Sequence, residues 1–242
     1  MSAFLEVQRL TKYFKGLRAV HDVSFAVEEK EIFGLIGPNG SGKTTMFNMI
    51  SGLYIPSGGS IFFQGVNITG LQPNRICHRG IGRTFQIAKP FLKLTVLENV
   101  MIGALNRTRS VSEAEKNARE ILAQMDLEDK AQTQGKTLSV PERKRLELAR
   151  ALATEPQLLL LDEVMAGLTP SELNEMIEVL RKIRQRGVTI FIVEHIMHAI
   201  MAISQRIMVL HHGEMIALGP PAEIVRNERV VEAYLGEEYN LA

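Results

Sequence analysis

The sequence has few of the features that would place a chain in an oxidising compartment or inside a membrane. It contains one cysteine, Cys77, among 242 residues, which excludes an internal disulfide and makes a reducing compartment the expectation. Its best apolar run, 188–193, is far shorter than the roughly 18–20 residues that a membrane-spanning helix needs. The first residues also lack the charged start and apolar stretch of a secretion signal. We therefore expect a chain that does not cross a membrane itself and that would serve one by docking on another protein.

An excess of charge of one sign is also missing. Lys and Arg number 28 and Asp and Glu number 27, which gives a formal net charge of +1. Such a balance produces no overall field that would gather nucleic acid or anionic lipid. The one basic run, 143–145, is interpreted as a solvated helix face. The hydrophobic share of 45% is ordinary for a globular protein.

Strand and helix patterns follow one another along the chain. The first third is rich in β-favouring residues, with strands predicted over 4–10, 19–27, 31–36 and 60–64. Helix starts with capping-box spacing then follow at Thr95/Glu98, Ser112/Glu115, Ser139/Glu142 and Thr169/Glu172. Strands are predicted over 158–161, 188–193 and 206–210, with a hairpin turn at 211–213. The alternation of strand and helix in the last third predicts an α/β fold with a parallel sheet.

A glycine-rich segment lies between a predicted strand and a predicted helix, and it fits the pattern G-x-x-x-x-G-K-[ST]. Glycines allow successive backbone N–H groups to point inward around phosphates, and the helix N-terminus adds partial positive charge. In this pattern Lys43 neutralises the β and γ oxygens and the Thr44 hydroxyl ligates Mg²⁺. The loop by itself indicates a nucleoside triphosphate, so kinases, GTPases and motors remain possible, and a chance glycine-rich turn is the alternative. The candidate ATP-binding residues are Gly37, Pro38, Asn39, Gly40, Ser41, Gly42, Lys43, Thr44 and Thr45.

Two carboxylates follow the apolar run 158–161. A buried strand that ends in a carboxylate is how proteins with such a loop bring an acid to Mg²⁺, which is the expected role of Asp162. Glu163, one position later, is placed to accept a proton from the attacking water, and such general-base help contributes roughly 10²–10⁴ in rate. The alternative is that both acids simply end a strand and face water.

Together these segments resemble the ATP-binding cassette (ABC) family over essentially the whole chain. Residues 84–86 resemble the glutamine loop of the family, 138–152 its signature segment and 192–195 its histidine switch. Phe14 stands where the family places an aromatic ring against adenine. Three segments are most similar to the branched-chain amino-acid importer group: 80–86, 166–168 and 231–237. Lipopolysaccharide-export and urea-import ATPases have similar endings.

The resemblance implies a fold and a chemistry. The fold would be α/β: a P-loop NTPase core with a parallel sheet and flanking helices, an antiparallel β subdomain, and a helical subdomain at about 90–154 inserted into a single domain, 1–242. ATP and Mg²⁺ would be the cofactors, and ATP hydrolysis would be coupled to transport. Gln86 would touch Mg²⁺ and the attacking water, Glu163 would be the base, and His195 would hold the γ-phosphate.

The resemblance also implies partners. A second ABC ATPase subunit, identical or paralogous, would sandwich two ATP molecules with this chain, each site pairing one phosphate loop with the partner's serine at the position of Ser139. Transmembrane permease subunits would bind the pair at the cytoplasmic face of the inner membrane, and a solute-binding protein would act indirectly. No nucleic-acid partner is expected, because no long coiled-coil insertion and no second cassette are present. The alternatives are a soluble ABC scaffold ATPase, not coupled to transport, and a nucleotide-binding subunit with weak hydrolysis.

Some positions depart from the family pattern or carry a second interpretation. Pro141 stands in place of a glycine-containing pair after Ser139, and proline has no backbone N–H to offer a phosphate. We hypothesise that this chain closes on ATP less tightly than its relatives; the structural alternative is a proline in the first turn of a capped helix. Thr169 is expected to cap a helix rather than to contact another subunit. His195 and His198 have metal-site spacing, but a structural metal is the weaker interpretation.

Overall fold

The computed structural model of the protein describes residues 3–84 and 90–238, with side chains as far as residue 234. Its first elements are β1 Leu5–Phe14, β2 Leu17–Val27, β3 Ile32–Ile36, α1 Lys43–Ile50, β4 Gly58–Phe63, β5 Val66–Asn67, α2 Pro73–His78, β6 Ile81–Arg83 and α3 Val96–Ala104. The later elements are α4 Val111–Gln124, α5 Val140–Leu152, β7 Leu158–Asp162, α6 Pro170–Gln185, β8 Thr189–Val193, α7 Met197–Ile203, β9 Arg206–His211, β10 Glu214–Gly219, α8 Pro221–Ile224 and α9 Glu228–Glu238.

The chain divides into two compact units. The first unit combines residues 1–76 with 189–242, and the second is residues 77–188. The predicted α/β class, with parallel strands, an antiparallel sheet and a group of helices, is confirmed. The expected single domain with a helical part at about 90–154 stays a prediction. No helix in the described parts of the chain is both long enough and apolar enough to cross a bilayer.

The first unit contains an antiparallel sheet with strand order β2-β1-β4-β5. β1 and β2 form a hairpin in which Phe14 pairs with Leu17. Lys15 and Gly16 make the turn, and both have positive φ, 44° and 92°, as the tightest hairpin turns require. β1 extends beyond the predicted 4–10 to Phe14, because a register shift between Val7 and Leu10 interrupts the strand without ending it.

The first unit also contains the strands β10, β9, β3 and β8, in that order. β3 pairs in parallel with both β8 and β9, and all five residues of β3 and of β8 are buried. Such strands appear in a sequence as continuous apolar runs, which is why they could be predicted. The rings of Phe33, Phe47 and Phe191 pack edge to face at 4.8–5.2 Å beside β3 and β8.

The second unit pairs β6 with β7 in parallel and packs α3, α4 and α5 against one another. The predicted capping boxes at Thr95 and Thr169 are confirmed. The predicted start of α4 at Ser112 is wrong, because Ser110 caps this helix by accepting from the Glu113 N–H at 3.3 Å. Two overlapping S-x-x-E patterns are present there. The earlier one prevails since Thr108 holds Glu113 as well.

A buried asparagine fixes the segment that leads into α3. The Asn99 side chain accepts from Phe91 N–H at 2.8 Å and donates to the main-chain oxygens of Phe91 and Thr95 at 3.1 and 2.9 Å. The guanidinium of Arg150, on α5, lies over the Phe91 ring with 4.6 Å to its centroid. The segment from Phe91 to Thr95 is therefore held from two helices of the unit.

Candidate active site

The loop 37–42, between β3 and α1, is shaped by two close backbone approaches. Gly37 has φ +148°, and a Cβ there would lie 2.1 Å from the Leu210 carbonyl oxygen. Gly42 has φ +108°, and its Cβ would lie 2.4 Å from the Ala19 carbonyl oxygen. Both distances are impossible for a side chain, so the loop can close only with glycine at these positions.

Lys43 and Ser41 bring polar groups into this loop. The Lys43 side chain is 6% exposed, and its Nζ donates to the main-chain oxygens of Gly37 at 2.6 Å and Pro38 at 2.8 Å. The Ser41 hydroxyl is buried and has no hydrogen-bond partner within the described residues. A buried hydroxyl of this kind calls for an acceptor, and a phosphate oxygen seated in the loop would provide one.

The N-terminus of α1 is open to an anion. No side chain caps it, and its first turn contains no acidic residue. A helix start without a side-chain cap or an acidic residue is typical of the anion-binding helix starts of other proteins. Thr44 is exposed and Thr45 half-buried, while Asn39 and Gly40 form the exposed tip of the loop. These residues fit a magnesium-bound triphosphate.

Phe14 is the last residue of β1, and its ring is partly exposed. It belongs to the same unit as the loop. It is 38% exposed, and the Tyr54 ring packs edge-on against it at 5.3 Å. The Lys12 Nζ lies 5.1 Å from the centroid of the Phe14 ring and donates to the Ile55 carbonyl oxygen at 2.7 Å. Sequence reasoning did not predict these two supports. The two-residue spacing of Lys12 and Phe14, which is typical of residues on one face of a strand, could have indicated the Lys12 contact.

In the second unit, β7 ends at the buried carboxylate of Asp162. This side chain is 2% exposed and forms an ion pair with Arg83, whose Nη2 lies 3.3 Å from Oδ2 and whose side chain is 9% exposed. The Asp162 N–H donates to the Thr84 hydroxyl at 3.3 Å. The Arg83 contact could not be predicted from the sequence, since the two residues are far apart in the chain. The ion pair keeps an ionised carboxylate compatible with burial.

Glu163 follows immediately and has an unusual backbone. Its φ is +52°, a left-handed conformation that non-glycine residues seldom adopt. Its side chain is half-buried. The Lys144 Nζ, from α5, donates to the Glu163 carbonyl oxygen at 3.0 Å.

Ser139 is the exposed N-cap of α5. Its N–H donates to the Glu142 carboxylate at 2.8 Å, and Pro141 lies in the first turn, where a missing N–H costs the helix nothing. The capped helix predicted with this proline is confirmed. A hydrogen bond from Lys130, with help from Ser139, lowers the pKa of the Glu142 carboxyl below its usual range.

The prediction that the basic run 143–145 is a solvated helix face is wrong. Arg143 donates to the Lys136 carbonyl oxygen at 2.9 Å, and Arg145 pairs with Asp126 and Glu175. With the Lys144 contact, all three side chains bond to other segments and all three are half-buried. The run therefore connects α5 to the rest of its unit.

The remaining candidates are placed differently. His195 lies exposed in the bend between β8 and α7, and His198 is exposed one turn later. No group of three or more His, Cys, Asp or Glu in the described ranges could hold a metal ion. Gln86 lies outside the described residues. Phe14, the loop residues 37–45 and His195 thus belong to the first unit, and Ser139, Asp162 and Glu163 belong to the second.

Comparison with known proteins identifies the class. The ABC transporter family matches residues 20–166. A second family, described as branched-chain amino acid ATP-binding cassette transporter, matches residues 214–240. The chain therefore belongs to the ABC transporter family, as an ATP-hydrolysing subunit that binds ATP. The resemblance inferred from the motifs is confirmed.

Individual relatives cover nearly the whole chain. It is 39% identical to the high-affinity branched-chain amino acid transport ATP-binding protein BraF of Pseudomonas aeruginosa, over 96% of this chain and 98% of that protein. The high-affinity branched-chain amino acid transport ATP-binding protein LivG of Escherichia coli gives the same identity and coverage. The lipopolysaccharide export system ATP-binding protein LptB of Escherichia coli is 36% identical over 99% of this chain and 100% of that protein.

Solved structures of ATP-binding cassettes have the same fold as this chain. A nucleotide-free ATP-binding cassette from an ABC transporter has a TM-score of 0.89 at 29% identity, covering 96% of this chain and 99% of that chain. An ATP-binding cassette in its ADP conformation gives 0.89 at 29% identity, over 98% and 100% of the two chains. A dimeric cassette bound to ADP and Pi gives 0.81 at 28% identity, over 90% and 98%.

The Arg83–Asp162 ion pair leads to a testable prediction. Arg83→Met removes one partner of a buried pair and is expected to lower the free energy of unfolding by about 3–5 kcal/mol, measured by urea denaturation without nucleotide. The control is Arg18→Met, because Arg18 pairs with Glu214 where the side chains are 47% and 51% exposed. That change should cost no more than about 1 kcal/mol. Equal losses in the two variants would contradict the importance of the buried pair.

Proposed function

We propose that the chain is the ATP-hydrolysing subunit of an importer for branched-chain amino acids or a related small solute. The observation that carries the solute class is the branched-chain family match at 214–240, which includes β10, α8 and α9. The names of BraF and LivG support the same class. The similarity to LptB makes lipopolysaccharide export the second candidate, but that family match favours import.

The residues of the first unit would bind the nucleotide. Lys43, the Ser41 hydroxyl and the N–H groups at the start of α1 would hold the phosphates, and Phe14 would stack on adenine. His195 would hold the γ-phosphate. Mg²⁺, with Thr44 as one of its ligands, would neutralise charge on the β and γ oxygens.

The residues of the second unit would supply the hydrolytic chemistry. Asp162 would be a second Mg²⁺ ligand, since its carboxylate ends a buried strand. Glu163 would accept the proton of the attacking water. Gln86 would touch Mg²⁺ and that water. Ser139, exposed at the start of α5, would meet the ATP that a second cassette holds.

The proposed partners follow from the transporter role. A second ABC ATPase subunit, identical or paralogous, would form the dimer, as in the cassette solved with ADP and Pi. Transmembrane permease subunits would hold the dimer at the cytoplasmic face of the inner membrane, and a solute-binding protein would deliver the solute from the other side. The names of the relatives, all transport or export ATP-binding proteins, support this arrangement.

The base assignment is tested with Glu163→Gln. Because glutamine keeps the shape of the side chain but cannot accept the proton, hydrolysis should fall by roughly 10²–10⁴. ATP affinity should stay the same, and gel filtration should show an ATP-dependent dimer. Hydrolysis at the parental rate would refute the role of Glu163.

The hypothesis about Pro141 is tested with Pro141→Gly. The restored N–H could donate to a phosphate oxygen, and a hydrogen bond to a charged group contributes about 1.5–3 kcal/mol. ATPase rate or ATP affinity should therefore rise by about tenfold or more. Pro170→Gly is the matched control, because Pro170 also lies in the first turn of a capped helix, α6. No gain from Pro141→Gly, or an equal gain from Pro170→Gly, would remove the hypothesis.

The transporter role is tested by purification and uptake. The tagged chain, purified from detergent extracts of its own cells, should bring down a membrane protein with several spans. Deleting its gene should lower uptake of radiolabelled leucine, isoleucine or valine, and the parental gene should restore it while Glu163→Gln should not. If no multi-span protein copurifies, the transporter role fails; if one copurifies while uptake of these three amino acids is unchanged, the solute class fails.

A further inference from the structure

We propose that Lys144 is a positioning residue that fixes the direction of the Glu163 side chain by holding the Glu163 carbonyl group. The inference rests on the proposed role of Glu163 as the general base. It assigns a function to a lysine that the sequence placed on a solvated helix face. Both residues belong to the same unit, 77–188.

Glu163 needs such support because its backbone is strained. Its φ of +52° brings Cβ close to the carbonyl oxygen, which costs energy for any residue except glycine. Residues in this conformation persist only where the surrounding structure holds them in place. A base that must point at one water molecule would lose its direction if this peptide relaxed toward the ordinary conformations.

The N-terminal side of Glu163 is already held. Asp162, its neighbour, is the last residue of β7, where all five residues are buried. The Asp162 N–H donates to Thr84 at 3.3 Å, and its carboxylate pairs with Arg83. The peptide group between Asp162 and Glu163 is thus fixed by the strand.

Lys144 holds the C-terminal side. The carbonyl oxygen of Glu163, which accepts from Lys144 Nζ at 3.0 Å, belongs to the peptide that leaves this residue. A hydrogen bond from an ammonium group is roughly twice as strong as one between neutral groups. With both flanking peptides fixed, the direction of the Cα–Cβ bond is fixed as well.

The backbone that carries Lys144 is itself held rigidly. It lies on α5, whose neighbouring residues Leu146, Leu148 and Ala149 are fully buried. Ser139, five residues earlier, is the N-cap of the same helix. The Lys144 contact therefore connects the helix that Ser139 caps to the peptide of the proposed base, so that α5 and the direction of the Glu163 carboxylate are coupled.

The experiment compares Lys144→Met with Lys144→Arg in steady-state ATP hydrolysis. Methionine keeps most of the aliphatic stem but cannot donate, so kcat should fall about tenfold, a part of the roughly 10²–10⁴ that a general base contributes. KM for ATP should change by less than about twofold, because the substitution should affect the chemical step and not the binding of ATP. Arginine can still donate to the carbonyl oxygen and should recover most of kcat.

Two further measurements separate positioning from stability. Arg107→Met is the matched control, because the Arg107 guanidinium also donates to main-chain oxygens of the same unit, those of His78 and Cys77, at 3.1 and 2.9 Å. It should lower the melting temperature without changing kcat. In a Glu163→Gln background, Lys144→Met should cause little further loss of hydrolysis, because residues that act as one unit are not additive.

The outcomes are distinct. Parental kcat in Lys144→Met, no recovery in Lys144→Arg, or a full tenfold further loss in the Glu163→Gln background would each overturn the proposal. If Lys144→Met does not fold, Lys144→Gln, a neutral donor, takes its place and should give a kcat between that of Glu163→Gln and the parent with KM unchanged; parental kcat would overturn the proposal. Parental hydrolysis in Glu163→Gln alone would refute the base itself, whatever the lysine variants show.

Discussion

In the proposed function, nucleotide binding depends on the buried ammonium group of Lys43. A charge removed from water is costly unless polar groups surround it, and here the carbonyl oxygens of Gly37 and Pro38 accept from it within the loop. The loop can present those oxygens only because Gly37 and Gly42 allow the backbone to approach Leu210 and Ala19. The glycines thus act first on the shape of the loop and, through that shape, on the position of the charge.

Burial of charge is handled in the same way in the second unit. Asp162 would be destabilising at the end of a buried strand without a partner, and Arg83 provides that partner. Lys43 in the first unit and Asp162 in the second are thus buried charges of opposite sign; in the proposed function the cation would face phosphate oxygens and the anion would bind Mg²⁺. In both units this charge is held by short-range contacts within the unit itself.

The parts of the fold that could be predicted from the sequence are those with local causes. The buried strands β3, β7 and β8 follow from continuous apolar runs, and Thr95, Ser139 and Thr169 follow from cap spacing. The phosphate loop follows from its glycines and Lys43. The extension of β1 to Phe14 was missed because a bulge near Arg9, with φ 46°, breaks the two-residue alternation. The contacts of Arg83, Lys144 and Tyr54 join segments distant in the chain, and neither periodicity nor spacing encodes such pairings.

The left-handed backbone of Glu163 has a consequence for stability. A glycine at this position would adopt a φ near +52° without strain, and aspartate or asparagine would tolerate it better than glutamate does. Glutamate therefore makes this turn less stable than glycine would. It provides a longer acidic side chain than aspartate would. Selection for thermostability by itself would favour replacing this residue, and under the proposed function a variant that gained heat resistance there would lose its general base.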